Sequence, residues 1–489
     1  VPGARFPLLY QLNTRVLVAE ARPGGTLDDL PDALLDGAAA RGFHWIWALG
    51  VWQTGPAGRR EALAPAMRAA YARDLPDVAD ADVVGSPFAI RGYDVHRDLG
   101  GEPALLRLRQ RLHARGLRLM LDFVPNHVAL DHPWVDSHPE YFVRGTEEDL
   151  RREPGNYVAL GDRMILAHGR DPYFPGWTDT LQLDYRRPEL RAAMIGELLG
   201  VAARCDGVRC DMAMLLEPDV IARTWSGPER GPPPAPFWPD AIARVRREHP
   251  DFLFLAEVYW DLEWRLMQHG FDFTYDKRLY DRLRAGAAGP VRDHLAAEPA
   301  FQDRCARFLE NHDEPRAAAT FTLDRHRAAA AVTFLTPGLR LFHEGQLEGR
   351  RAHAAIQLAR RAAEPPDPAL RAFYDRLLRV LQRAELHDGA WRPCEVRPVD
   401  DDASAQYVIA FSWELGRAGL VGAVNFSDGP ARCRIAPRLA SLDGSRWILE
   451  DLLGDVSPAP DGIRLGPEGA VINLLPWQPG LFEVRALTS

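Results

Sequence analysis

Eight short apolar runs alternate with helical segments over most of this 489-residue chain, and that alternation limits the fold more than any other feature. The runs fall at residues 8–12, 42–49, 117–122, 205–211, 252–257, 271–274, 305–310 and 339–342. Helical segments are predicted at 27–40, 103–115, 188–203, 240–248 and 368–384, with Gly116 placed to end the second of them. Strands separated by helices pair in parallel through crossovers. Eight such units favour a closed (β/α)8 barrel, a TIM barrel, over an open doubly wound sheet. No Gly-x-Gly-x-x-Gly turn follows the first run, which also argues against a dinucleotide-binding fold.

Two stretches break the alternation. Residues 128–180 are too long for a strand-to-helix loop and rich in aromatics, proline and charge, so a small inserted subdomain is expected after the third strand. The barrel then comprises residues 1–127 and 181–387. From Asp388 the helices stop, and alternating runs at 407–411, 420–424 and 480–484 predict a C-terminal all-β domain, a sandwich over 388–489. The Gly-Pro-Pro-Pro loop at 226–239 reads as an excursion after the fourth strand.

Composition narrows the function classes. A hydrophobic fraction of 46% with 26% charged residues is that of a soluble globular protein, and no run of 18 apolar residues offers a membrane span. A net charge of −9 without a basic stripe gives nucleic acid nothing to bind. Five scattered cysteines lack metal-ligand spacing and form no disulfide framework; a reducing compartment fits them. No signal peptide is visible, which points to the cytoplasm, although the chain begins at Val1 rather than Met, as a trimmed terminus would. Nothing in the sequence speaks to oligomeric state.

The chemistry gathers at strand ends. Cys205-Asp206-Gly207-Val208-Arg209-Cys210-Asp211-Met212 reads as a buried strand closing on two opposite charges. A buried charge needs a partner, so Arg209 and Asp211 are expected to pair, and a carboxylate beside a guanidinium stays ionised. Active sites of such barrels lie at the carboxyl ends of the strands. There the chain places Asp122, Asn126 and His127 after the third strand, Glu257 after the fifth, and Asn311, His312 and Asp313 after the seventh. Glu257, between Phe254-Leu255-Ala256 and Val258-Tyr259-Trp260, is set in apolar surroundings that favour its protonated form. A protonated acid opposite an ionised nucleophile is what retaining glycoside cleavage requires. Asp, Glu and His also make metal sites, but here the carboxylates share their mouth with Arg209.

These residues carry a family resemblance. Asp122-Phe123-Val124-Pro125-Asn126-His127, Gly207-Val208-Arg209-Cys210-Asp211, Ala256-Glu257-Val258 and Glu310-Asn311-His312-Asp313 resemble, in order and spacing, four conserved regions of the α-amylase superfamily, glycoside hydrolase family 13. The insertion and the β tail fit the same pattern. The resemblance implies Asp211 as nucleophile, Glu257 as acid and base, and Asp313 as the acid that binds sugar hydroxyls and distorts the ring. It implies that Arg209 orients Asp211, that His127 and His312 bond the same sugar, and that Phe88 stacks on it where relatives usually carry Tyr. Asp122, Trp260 and Arg316 join the substrate-binding set. Asn126 falls at a frequent calcium-ligand position, so a structural calcium is the one metal implied; no cofactor is required.

Departures blur the subgroup. Met214 and Leu215 stand where polysaccharide-cutting members usually carry Lys and His. Arg316 is similar to the α-glucosidase and transglycosidase branches, yet Gly85 replaces their usual Asp three residues before the stacking aromatic. The expected function is retaining hydrolysis of α-glucosidic bonds in malto-oligosaccharides or small α-glucosides. Glucosyl transfer or isomerisation of the trehalose synthase kind is the alternative, and a non-catalytic sugar-binding relative the third reading.

Overall fold

In the computed structural model, which describes residues 4–161, 164–225, 232–437, 439, 447–454, 463–466 and 468–486, eight parallel strands close into a barrel. They are β1 (Leu8–Asn13), β2 (Trp45–Leu49), β3 (Arg118–Phe123), β4 (Gly207–Cys210), β5 (Leu253–Ala256), β6 (Phe273–Tyr275), β7 (Cys305–Arg307) and β8 (Leu339–His343). Each pairs with the next, and β8 pairs with β1. All eight apolar runs are therefore strands of one sheet. Its strands are buried on both faces, which is why they read as continuous apolar runs rather than alternating ones.

Crossover helices cover the outside. They include α1 (Asp32–Ala40), α2 (Gly101–His113), α3 (Pro188–Ala202), α4 (Trp238–Glu248), α5 (Glu263–Gln268), α6 (Lys277–Ala285), α7 (Leu323–Phe334) and α8 (Pro368–Leu381). Helix α8 illustrates why they form. Asp367 caps it by accepting from Ala369 N and Leu370 N, and Leu370, Phe373, Tyr374, Leu377 and Leu381 make one buried stripe. None of the described helices is long and apolar enough to cross a membrane.

The insertion after β3 is fastened where it leaves and re-enters the barrel. The strand His127–Ala129 pairs antiparallel with Thr180–Gln182, and a hairpin of Tyr157–Leu160 and Met164–Ala167 lies between them. Of the loop expected at 226–239, residues 226–231 lie outside the described residues. Residues 236 onward already lead into α4.

Among the described residues the C-terminal part is hydrogen-bonded as one nine-stranded antiparallel sheet. It curls over its own core of residues such as Val421, Cys433, Ile435, Ile472 and Phe482. Its other face packs on the barrel: Trp413 is fully buried, donates from Nε1 to Leu335 O at 2.7 Å and meets Phe6 edge-on.

One buried cluster pairs opposite charges around Asp276. Asp276, one residue past β6, accepts from Arg307 Nε at 3.2 Å and Leu279 N at 3.1 Å and contacts His294 Nε2 at 2.8 Å. Burial works against its charge, but these partners outweigh it and hold the carboxyl well below the usual range. Asp276→Asn leaves Arg307 buried without its carboxylate, and a loss of about 3–5 kcal/mol is expected at pH 7. A depressed carboxyl stabilises above its unfolded pKa of about 3.9 and ceases to do so as pH falls through the folded value. Urea unfolding of both proteins at pH 7 and pH 3 checks this: the gap narrows at the lower pH.

Candidate active site

The register of the barrel sets the site. Arg209 pairs with Asp122 of β3 on one side and Leu255 of β5 on the other. The ladder continues past the strands, since Asp211 N donates to Phe123 O and Glu257 N to Cys210 O. Along β4 every second side chain points inward. Gly207, Arg209 and Asp211 thus face the interior, and Gly207 has room for no more than hydrogen, because a Cβ there would lie 2.8 Å from Leu253 O.

Arg209 is the hub. It is 1% exposed and binds two carboxylates at once: Nη1 donates to Asp211 Oδ1 at 2.6 Å and Nη2 to Glu257 Oε2 at 2.7 Å. Rings of Trp47, Phe88 and Tyr275 surround its guanidinium at 5.4, 5.1 and 5.9 Å. Pairing of Arg209 with Asp211 was legible from the strand itself. Sharing the guanidinium with Glu257 is a cross-strand consequence of register.

Glu257 is buried among apolar neighbours as expected, but it is not without polar partners. Besides Arg209, it accepts from Met212 N at 2.7 Å and Tyr259 OH at 2.8 Å. Met212 adopts a left-handed backbone, φ 43°, unusual for a residue with a side chain, and this turn aims its N–H at Glu257. Burial pushes the Glu257 carboxyl upward and Arg209 opposes it, while Asp211 and Asp313 push it further up. Burial also raises Asp211, with Arg209 opposing and Asp313 adding. One guanidinium thus serves three acids, and repulsion among them favours retention of a proton.

Asp211, Glu257 and Asp313 line one cavity of about 350 Å³, with Phe88, His127, Trp177, Asp179, Tyr259 and Gln357 in its wall. Asp313 is the most open of the three acids, its side chain 43% exposed, with His312 Nε2 3.0 Å away. His127 packs against Trp177, and burial lowers its pKa to about 4, so it is neutral at physiological pH. Larger clefts lie elsewhere. One of about 1220 Å³ opens among Pro7, Trp45, Arg118 and Leu253, at the strand starts, the face that carries stability rather than chemistry in such barrels. Another of about 840 Å³ lies around Arg15, Gly55 and Arg97 and contains none of the three acids.

Several residues expected on the sugar do not line the cavity. Asp122 is 1% exposed and committed inside the barrel, accepting from Trp47 Nε1 and Gly50 N at 3.0 and 2.8 Å. Arg209 lies beneath the acids it holds. His312, 2% exposed, joins Gln11 at 2.6 Å and backs Phe88. Arg316 is buried on Glu310 and the Glu344 carbonyl, at 2.7 and 2.8 Å, away from the cavity. Trp260, with φ 64°, turns out to the rim and packs edge-on against Tyr173.

Asn126 is held by Gln182. Its Oδ1 accepts from Gln182 Nε2 at 3.0 Å and its Nδ2 donates to Gln182 Oε1 at 3.2 Å, so the amide is closed on a partner. Among the described residues no three His, Cys, Asp or Glu side chains gather to hold a metal.

Asp179, Thr180, Ile356 and Gln357 are cavity residues that strand-end reasoning missed. They come from the insertion and from the loop after β8, where no periodicity marks a position. For the first two, the polar Thr178-Asp179-Thr180 at the start of the re-entrant strand was the available signal.

Residues 89–280 match the family model described as alpha amylase, catalytic domain. Alpha-amylase MalA of Haloarcula japonica is 26% identical over 402 residues, covering 77% of this chain and 53% of that protein. The alpha-1,4-glucan:maltose-1-phosphate maltosyltransferase of Burkholderia pseudomallei is 27% identical over 349 residues, covering 68% and 26%. The chain therefore spans about half of the first and a quarter of the second. The crystal structure of a noncanonic maltogenic alpha-amylase, AmyB from Thermotoga neapolitana, superposes with a TM-score of 0.70 at 19% identity, covering 98% of both chains. At that identity the likeness concerns the fold.

Proposed function

For this chain, which belongs to the α-amylase superfamily, we propose retaining cleavage of α-glucosidic bonds in short gluco-oligosaccharides or small α-glucosides. The observation that carries the reading is the single guanidinium of Arg209 gripping both Asp211 and Glu257 at the floor of a cavity that also holds Asp313. Two carboxyls tied to one guanidinium favour the short separation of retaining enzymes, about 5–5.5 Å, over the wider spacing that leaves room for an inverting water.

In the proposed mechanism an Asp211 oxygen attacks the anomeric carbon as the glycosidic C–O bond breaks. Glu257 gives its proton to the leaving oxygen, and a β-linked glucosyl-enzyme results. Glu257, now a carboxylate, takes a proton from water; the water oxygen bonds to the anomeric carbon and Asp211 departs. Asp313 and His127 hold hydroxyls of the same ring. Side chains supply every step, so no cofactor enters. Free cysteines fit a reducing compartment such as the cytoplasm.

Transfer to a second sugar is the alternative reading. It is favoured by the exposed ring of Tyr173, 57% accessible and edge-on to Trp260, next to the residue whose hydroxyl meets Glu257. Such a rim can seat an acceptor ring in place of water. A non-catalytic sugar binder is disfavoured by the three acids converging on one cavity.

A proton NMR time course with maltoheptaose separates these readings. Shorter products released as the α-anomer are the expected result. Longer products beside shorter ones would select transfer. Products released as the β-anomer would overturn the retaining mechanism.

A further inference from the structure

A fourth carboxylate shares the cavity with Asp211, Glu257 and Asp313: that of Asp179, from the insertion. No side chain among the described residues donates to it; its hydrogen bond is with its own backbone. Burial raises its pKa to about 6, and nearby Glu61 adds to the effect. A polar group without a partner lies near. The hydroxyl of Tyr71, a residue 4% exposed, has no hydrogen bond, and the Asp179 charge reaches it. Buried polar groups are ordinarily paired. A carboxylate lining a cavity, acceptor-only when ionised, is suited to the donors of a sugar ring.

The wall beside Asp179 is sealed. The loops after β2 and β8 are sewn together by a bridge between Val83 and Leu358, and Val84 N and Gly85 N donate to Gln357 O at 2.8 and 3.3 Å. Tyr71, Leu75, Val83 and Leu358 bury a small apolar cluster behind this seam. Phe88 enters the cavity from the same loop and lies against Arg209, so the sealed wall belongs to the bond-breaking side. The side of Glu257 differs, since there Tyr259 leads out to Trp260 and the exposed Tyr173.

We propose that Asp179 is a specificity-determining residue that hydrogen-bonds the hydroxyls of the non-reducing terminal glucosyl unit at a blind end of the cavity, confining cleavage to chain ends and short glucosides. This rests on the glycosidase reading above. A volume of about 350 Å³, near the lower limit of ordinary ligand sites at about 300 Å³, agrees with a ligand of few rings.

The test compares kcat/KM of the wild type, Asp179→Asn and Asp179→Ala on p-nitrophenyl α-glucoside and on its 4-deoxy and 6-deoxy analogues. A hydrogen bond to a charged group is worth a factor of about 10 to 150, so the wild type should prefer the parent over at least one analogue by that factor. Both variants should lose a similar factor on the parent and treat it and that analogue nearly alike. A merely structural role would lower all three rates together and leave the preference intact, which overturns the inference. Either variant suffices if the other fails to fold. Turnover of maltoheptaose but of none of these glucosides by the wild type would overturn the inference alone; turnover of neither would overturn the glycosidase reading and this inference with it. Wild-type turnover without any preference among them overturns the inference alone.

Discussion

Asp211→Asn should abolish turnover of α-glucosides while leaving the fold in place, with a loss of roughly 10⁴-fold or more in kcat. The substitution keeps shape and removes the charge that must become a bond to carbon. Arg209 keeps its second carboxylate, Glu257, so its buried charge is not orphaned and the thermal midpoint should move little. A smaller residue at the same place, Asp211→Ala, makes room for azide. Azide then attacks the substrate directly, with one inversion, and the product should be the β-glucosyl azide. Wild-type-like turnover by Asp211→Asn would remove Asp211 from the nucleophile's role.

Glu257→Gln should give the second largest effect, and a different pattern. Loss of a general acid costs about 10²- to 10⁴-fold where the leaving oxygen needs its proton. With α-glucosyl fluoride, whose leaving group needs little help, the first step should survive and the glucosyl-enzyme should accumulate for want of a base. Azide should discharge that intermediate to the α-glucosyl azide, since two inversions have then occurred. The two variants are thus told apart by product anomer, not by rate alone. Burial with Asp211 and Asp313 nearby pushes the Glu257 carboxyl upward. An acid acts while protonated, so the basic limb of the kcat/KM profile should lie above the ordinary carboxylate range in the wild type and be absent from Glu257→Gln.

The barrel was legible because parallel strands covered on both faces must be apolar throughout, and eight such runs with helices between them admit few arrangements. The acids were legible for the converse reason. Asp211, Glu257 and Asp313 are charges placed just past apolar strands, where only a site or an ion pair accounts for them. What the sequence withheld depends on which residues meet. Arg209 and Glu257 are 48 positions apart and meet only through the register of β4 and β5. Asp122 occupies a motif position yet spends both oxygens on Trp47 and Gly50, and Arg316 is taken by Glu310. The curl of the C-terminal sheet is likewise a matter of pairing that short alternating runs do not disclose. Asp179 was invisible for a further reason. A lone acid in an irregular loop has no pattern, and its meaning comes from the wall it faces.

The most direct measurement is to trap the intermediate with 5-fluoro-α-glucosyl fluoride and locate the label by peptide mass spectrometry. Its fluorine at C5 slows both steps by disfavouring positive charge on the ring, while the fluoride leaving group lets the first proceed. One glucosyl adduct on Asp211 is the expected result, absent from Asp211→Asn. An adduct on another carboxylate, or catalytic turnover of α-glucosides with no adduct formed, would contradict a double displacement through Asp211.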